Sequence, residues 1–165
     1  MSIWIRAVCT KSVGPLAAID LAGALADCDF ETWAAVQGLD EEEGTAAEAA
    51  LRFEYPKHRT QEYGLLRYRA DDGFIRFDRW TGAAAREEAD EMLASLDDSS
   101  PAEIREVLAE CVETVGFELK ASDVVGMGFN IALAAAMVVA VEGEGLVQTD
   151  NDGDTWFDPL TGDEL

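Results

Sequence analysis

Histidine is nearly absent from this chain: His58 is the only one among 165 residues. That excludes every two-histidine metal site and leaves one imidazole for any serine or cysteine mechanism. His58 stands beside Pro56, Lys57 and Arg59, in a stretch that reads as an exposed turn. Cysteine is also sparse. Cys9, Cys28 and Cys111 lie far apart, each inside a predominantly apolar stretch, so they form neither a disulfide framework nor a zinc site. No Gly-x-Ser-x-Gly nucleophile turn and no phosphate-cradling Gly-x-x-x-x-Gly-Lys segment occurs. From these absences no catalytic residue, no metal site and no cofactor is expected.

Positive charge is the next scarcity. Twelve lysines and arginines face 34 acids, a formal net charge of -22. Such a charge repels nucleic-acid phosphates and anionic membrane surfaces, so no nucleic-acid partner is expected. Three readings of the acidity compete: ordinary solubility, adaptation to a saline cytoplasm, or a surface shaped to engage a basic protein. The N-terminal stretch MSIWIRAVCTKSVG lacks the basic start, apolar run and small-residue cleavage site of a secretory signal, and a cytoplasmic location is the expectation.

Only one long apolar run occurs, residues 124–141, which carry no charged side chain. Its composition of Ala, Gly and Val with Asn130 is weakly hydrophobic for lipid, and Asp123 and Glu142 flank it without a Lys or Arg anchor. It reads as a buried core helix, and no membrane association is expected. The Val124-Val125-Gly126-Met127-Gly128 stretch resembles a dinucleotide turn only in part, because Ile131 stands where the last glycine belongs. Small-residue helix packing is the simpler reading.

What is present suffices for one domain spanning residues 1–165. Hydrophobic residues make up 48% of the chain, enough to offset chain entropy despite the charge. Residues 3–9 alternate as a first strand. Leu16, Ile19, Leu21 and Leu25 suit a helical face, and Phe30, Trp33 and Val36 suit a second, with Asp29 as its cap. The acidic run at residues 39–44 reads as a solvated loop or helix end. Alternating segments at 50–55, 63–70 and 74–80 read as strands, with Asp71-Asp72-Gly73 turning an antiparallel hairpin.

Thr81 is placed to cap a helix reaching residue 96, and Ser100-Pro101 with Glu103 suggests a capping box for the next. A strand at 115–120, a helix capped by Ser122 and two strands at 146–149 and 155–158 complete the chain. The order strand, helix, hairpin recurs near both ends, a pseudo-repeated layout without sequence identity. The expected fold is α+β: an antiparallel or mixed sheet with helices packed on one face.

Two surfaces stand out as candidate sites. Eight of the twelve bases fall between Arg52 and Arg86. Strand alternation places Arg52, Arg67, Arg69 and Arg76 on one sheet face, with Arg79 on the apolar side. Such a face, beside Trp80 or Tyr63, suits a carboxylate, a phosphate or an acidic patch of a partner, including the acidic helices of another copy in a homodimer; the plain alternative is pairing with Glu54 and Asp78 or with acidic helices. The second surface is the C-terminal hairpin, where Asp150, Asp152, Asp154 and Asp158 surround Gly153 and Trp156. The register does not fit a calcium loop, since the closing acid would fall on Pro159. An aromatic anchor among carboxylates suits a basic protein partner, with the alternative that Trp156 closes the core. The leading functional expectation is a non-enzymatic acidic binding module of the immunity or escort kind, with the acidic helices and this hairpin as contact surface. The second is a small-molecule anion binder or enzyme built on the arginine face.

Overall fold

The structure, a computed structural model, describes residues 1–151 and 153–165. Among them, seven strands form one sheet: β1 (Ile3–Cys9), β2 (Arg52–Glu54), β3 (Tyr63–Arg67), β4 (Ile75–Thr81), β5 (Glu113–Leu119), β6 (Leu146–Thr149) and β7 (Thr155–Phe157). Their order is β2-β3-β4-β5-β1-β6-β7, and every neighbouring pair is antiparallel. The helices are α1 (Leu21–Leu25), α2 (Phe30–Val36), α3 (Glu41–Ala50), α4 (Gly82–Ser95), α5 (Ala102–Ala109), α6 (Ala121–Val124) and α7 (Gly128–Glu142). This is the α+β class with an antiparallel sheet expected from the sequence, but the helices, expected on one face, lie on both.

The period of two in β1 divides the molecule into two layers. Ile5, Ala7 and Cys9 join Phe77, Val115, Phe117, Leu119 and Val147 in the main core, where Ile131, Ala135, Ala136 and Val139 of α7 lie against them. The alanines let α7 approach the sheet closely. No helix among the described residues is long and apolar enough to cross a membrane. Val8 points the other way, with Leu146 and Trp156, into a smaller cluster closed by Ala89 of α4 and by Ile104 and Leu108 of α5. The α4–α5 pair therefore covers part of the second sheet face, opposite the larger helical layer.

Several local expectations are decided or corrected. The acidic run, read as a loop or a helix end, is the latter: Glu41, Glu42 and Glu43 occupy the first turn of α3, where carboxylates complement the positive helix end. The segment after Pro15 divides into a 3-10 turn at Leu16–Ala18 and the short α1, capped by Asp20. Neither Thr81 nor Ser100 provides a side-chain cap to its helix; Ser100 instead donates to Asp97. Ser122 does not cap the apolar helix either, because Asp123 accepts from the Lys120 amide and opens the separate α6.

Candidate partner-binding surface

The register of β2, β3 and β4 sets Arg52 opposite Arg67 and Leu65 opposite Arg76. Arg52, Arg67 and Arg76 thus share the face turned away from α7, as alternation predicts. Each is occupied by an acid of the same face. Glu54 takes Arg52 and Arg67, both at 3.0 Å, and Asp78 takes Arg76 at 2.9 Å. Hydrogen bonds from Arg52 and then Arg67 hold the Glu54 carboxyl below the usual range. Arg76 also stacks 4.4 Å from the Tyr63 ring and Arg67 5.3 Å from the Phe74 ring.

Arg69 lies elsewhere. β3 ends at Arg67, so the alternation does not extend to residue 69, and the Arg69 guanidinium turns toward Asp123, 3.5 Å away. Arg79 lies on the apolar side as expected, joined to Glu62 and to Glu113, which is only 1% exposed. The same two carboxylates accept from the amides of Leu16 and Val13, so this network ties the chain after β1 to the sheet.

The C-terminal hairpin does not present its tryptophan. Trp156 is 4% exposed and packs with Val8, Leu146 and the α4–α5 pair, a correction to its reading as a surface anchor. Asp150 accepts from the Trp4 amide at 2.6 Å and faces Arg6, and Asp154 accepts from Gln148 at 2.8 Å. Asp158 accepts from the Leu160 amide within the final turn. These three carboxylates are engaged within the fold rather than arrayed for a partner. Asp152 lies outside the described residues.

Exposed acidity is dense on α4 and α5, as it also is on α2 and α3, where Glu31, Glu41, Glu42, Glu43 and Glu48 are exposed. Glu87, Asp90 and Glu91 of α4, Asp97 and Asp98 of the connection, and Glu103, Glu106 and Glu110 of or beside α5 are all exposed. The pair carries two bases, and both are directed at backbone. Arg86 donates to the carbonyls of Leu108 and Ala109 as well as to Asp90, and Arg105 donates to the Asp97 carbonyl. The two bases are thus tied to carbonyls at the end of α5 and in the α4–α5 connection, and Asp90 is the acid of the pair that Arg86 reaches.

Beside α4, on the part of the sheet face it leaves uncovered, Trp4 and Trp80 form a half-buried pair with ring centroids 5.7 Å apart. Gly116 lies beneath them, where a Cβ would come within 2.7 Å of Trp80 and 3.1 Å of Trp4. Arg6 links this pair to α4, stacking 5.4 Å from the Trp4 ring while donating to Glu88 at 2.8 Å. The pairing is absent from the sites expected from sequence, where Trp80 figures only as a neighbour of the arginine face. The alternation of residues 3–9 does carry its signal, because it sets Trp4 and Arg6 opposite in phase to Ile5 and Ala7.

No protein-family model matches the chain, and neither a curated protein nor a solved structure is similar to it.

Proposed function

We propose that this chain is a binding module for a basic protein, of the immunity or escort kind in the cytoplasm, and that it engages its partner through the exposed side of α4–α5 with Trp4 and Trp80 as the adjoining anchor. The observation that carries this reading is that the exposed Glu87, Glu91, Glu103, Glu106 and Glu110 have no ion-pair partner among the described residues, the two bases of the pair being directed at backbone carbonyls and, for Arg86, at Asp90. Exposed like charge steers a basic partner and raises its association rate, while half-buried aromatic rings supply the area that desolvates on contact. The arginine face supports a different reading less well, because Arg52, Arg67 and Arg76 already hold carboxylates.

The test uses three purified baits in native lysate at low salt: the wild type, a variant with Glu87, Glu91, Glu103 and Glu106 each changed to Gln, and one with Glu41, Glu42 and Glu43 changed to Gln. A basic protein retained by the wild type and by the α3 variant, released by salt and lost from the α4–α5 variant is the expected result. Equal retention by all three, or equal loss from both variants, would show diffuse acidity instead of a defined surface. A Trp80→Ala variant should weaken the same complex mainly through faster dissociation.

A further inference from the structure

A cavity of about 330 Å³ opens between α3, the end of β3 and the break between α6 and α7, remote in sequence from the α4–α5 surface. Its size is at the lower end of the roughly 300–1,000 Å³ range of small-molecule sites. The walls combine apolar groups, Ala46, Ala47, Ala70 and Met127, with four polar side chains, Glu43, Tyr68, Arg69 and Ser122. Such a mixture fits a small molecule that has a short apolar part and charged ends.

The polar groups are unequally committed. Tyr68 is 5% exposed and its hydroxyl donates to Asp123, so it forms a rigid wall with no proton to offer. Arg69 is different. Its two ion pairs, to Asp71 at 3.6 Å and to Asp123 at 3.5 Å, exceed the range of a direct hydrogen bond of roughly 2.7–3.2 Å. Among the described residues it donates no hydrogen bond, and its Nε is buried without an acceptor. The guanidinium stacks 5.1 Å from the Tyr68 ring, and with both carboxylates beyond hydrogen-bond distance its partly exposed terminal nitrogens can still donate into the cavity. The α6–α7 break contributes further: α7 starts after Met127 with no side-chain cap, so the positive end of a 15-residue helix reaches the same cavity.

Both features suit a carboxylate, yet a plain anion would have to approach a molecule carrying -22 charges. Glu43, on the α3 side of the cavity, offers a charge of the opposite sign to Arg69. A zwitterion is neutral at long range and meets both groups at short range. We infer that this cavity binds a small free α-amino acid, its carboxylate on Arg69 and the α7 end, its ammonium on Glu43, and its side chain against Ala46, Ala47 and Met127.

The experiment is an amide-resolved NMR titration of the full chain with L-alanine, L-serine, L-valine and L-methionine. Saturating shifts at Arg69, Ser122, Gly126 and Met127 with at least one of them are expected, with no shifts on α4–α5. For valine, the partial analogues isovalerate, which lacks the ammonium, and isobutylamine, which lacks the carboxylate, should bind about tenfold or more weakly, as expected for loss of a charge-assisted contact. In Glu43→Gln, checked for folding by its own spectrum, valine should bind no better than isovalerate. In Arg69→Gln, checked for folding by its own spectrum, valine should bind no better than isobutylamine. Absence of shifts at those amides with the whole panel at millimolar concentration would overturn the assignment, as would isovalerate binding as tightly as valine. None of these outcomes depends on whether α4–α5 captures a basic protein.

Discussion

Tyr68 donates its hydroxyl to Oδ1 of Asp123 across 2.6 Å, joining the chain just after β3 to the turn that opens α6. Asp123 is 0% exposed, and its other oxygen accepts from the Lys120 amide at 3.0 Å. Tyr68→Phe therefore leaves a buried carboxylate short of one donor, and a loss of about 1–3 kcal/mol is expected in urea unfolding. The pH dependence has a definite sign. Burial first, then the Asp123 hydrogen bond, pushes the phenol above its ordinary range. The folded state thus holds a proton that the unfolded state releases near pH ~10. The stability that Tyr68 contributes is complete below that pH and is lost above it. The gap between wild type and Tyr68→Phe should accordingly narrow as unfolding is measured at increasingly alkaline pH.

Arg79 is the only base joined to Glu113 among the described residues, and its side chain is 16% exposed against 1% for Glu113. Replacing it by methionine keeps much of the packing volume but strands a buried carboxylate, a change that typically costs about 3–5 kcal/mol. Glu113→Gln in the Arg79→Met background should recover a large part of that loss, since the stranded charge is removed. A shift of the urea midpoint with unchanged slope in both variants checks this. Equal destabilisation of the single and double variants would place the effect in packing instead.

How far the sequence discloses this fold varies with the length of each signal. Residues 3–9 alternate over a full strand, and the structure places β1 on those residues with its two faces in opposite layers. Asp29 behaves as the cap it resembles, accepting from the Thr32 amide at 3.0 Å. Trp156 is harder to place because β7 spans three residues, too few to set which of Trp156 and Phe157 points to which layer. The packing of α4 and α5 decides it, and that contact is remote in sequence. Alternation carried past Arg67 sets Arg69 on the sheet face, but the strand ends at Arg67. The Ser122 cap failed through competition, since Asp123 reaches the Lys120 amide first and starts a separate helix. The cavity at Arg69 had no local signature at all, because its walls come from α3, the end of β3 and the α6–α7 break.

Gly64 pairs across the sheet with Phe77 and lets that ring lie over its Cα. Phe77 is fully buried and stacks on Phe117 with centroids 4.8 Å apart, while Phe53 and Tyr55 meet it edge-on. A Cβ at position 64 would overlap the Phe77 ring, which is fully buried and enclosed by Phe53, Tyr55 and Phe117. Gly64→Ala should cost about 1–3 kcal/mol by overpacking, although alanine ordinarily loses less chain entropy than glycine. In the Phe77→Leu background the same substitution should cost clearly less, a non-additivity that thermal or urea unfolding of the four proteins would measure. Simple addition of the two losses would contradict the proposed clash.

The three thiols should differ in reactivity by position rather than by chemistry. Cys9 is 0% exposed, and burial, reinforced by Glu113 and Cys111, pushes its thiol up to about 12. Cys111 is 5% exposed, whereas Cys28 is half-buried, its pKa raised by burial and by Asp27. Since the thiolate is the reacting species, iodoacetamide near neutral pH should modify Cys28 slowly in the folded protein. Cys9 and Cys111 should follow only as the chain unfolds, and mass spectrometry of peptides from labelling with and without urea separates the three. The sign of the linkage adds a second readout. Cys9 stays protonated in the fold while the unfolded thiol ionises near pH ~8.5, so its contribution to stability falls as pH rises from there toward about 12. A Cys9→Ala variant should therefore lose less stability than the wild type over that interval. A wild-type protein whose Cys9 labels as fast as Cys28 under native conditions would contradict the buried position of β1 between β5 and β6.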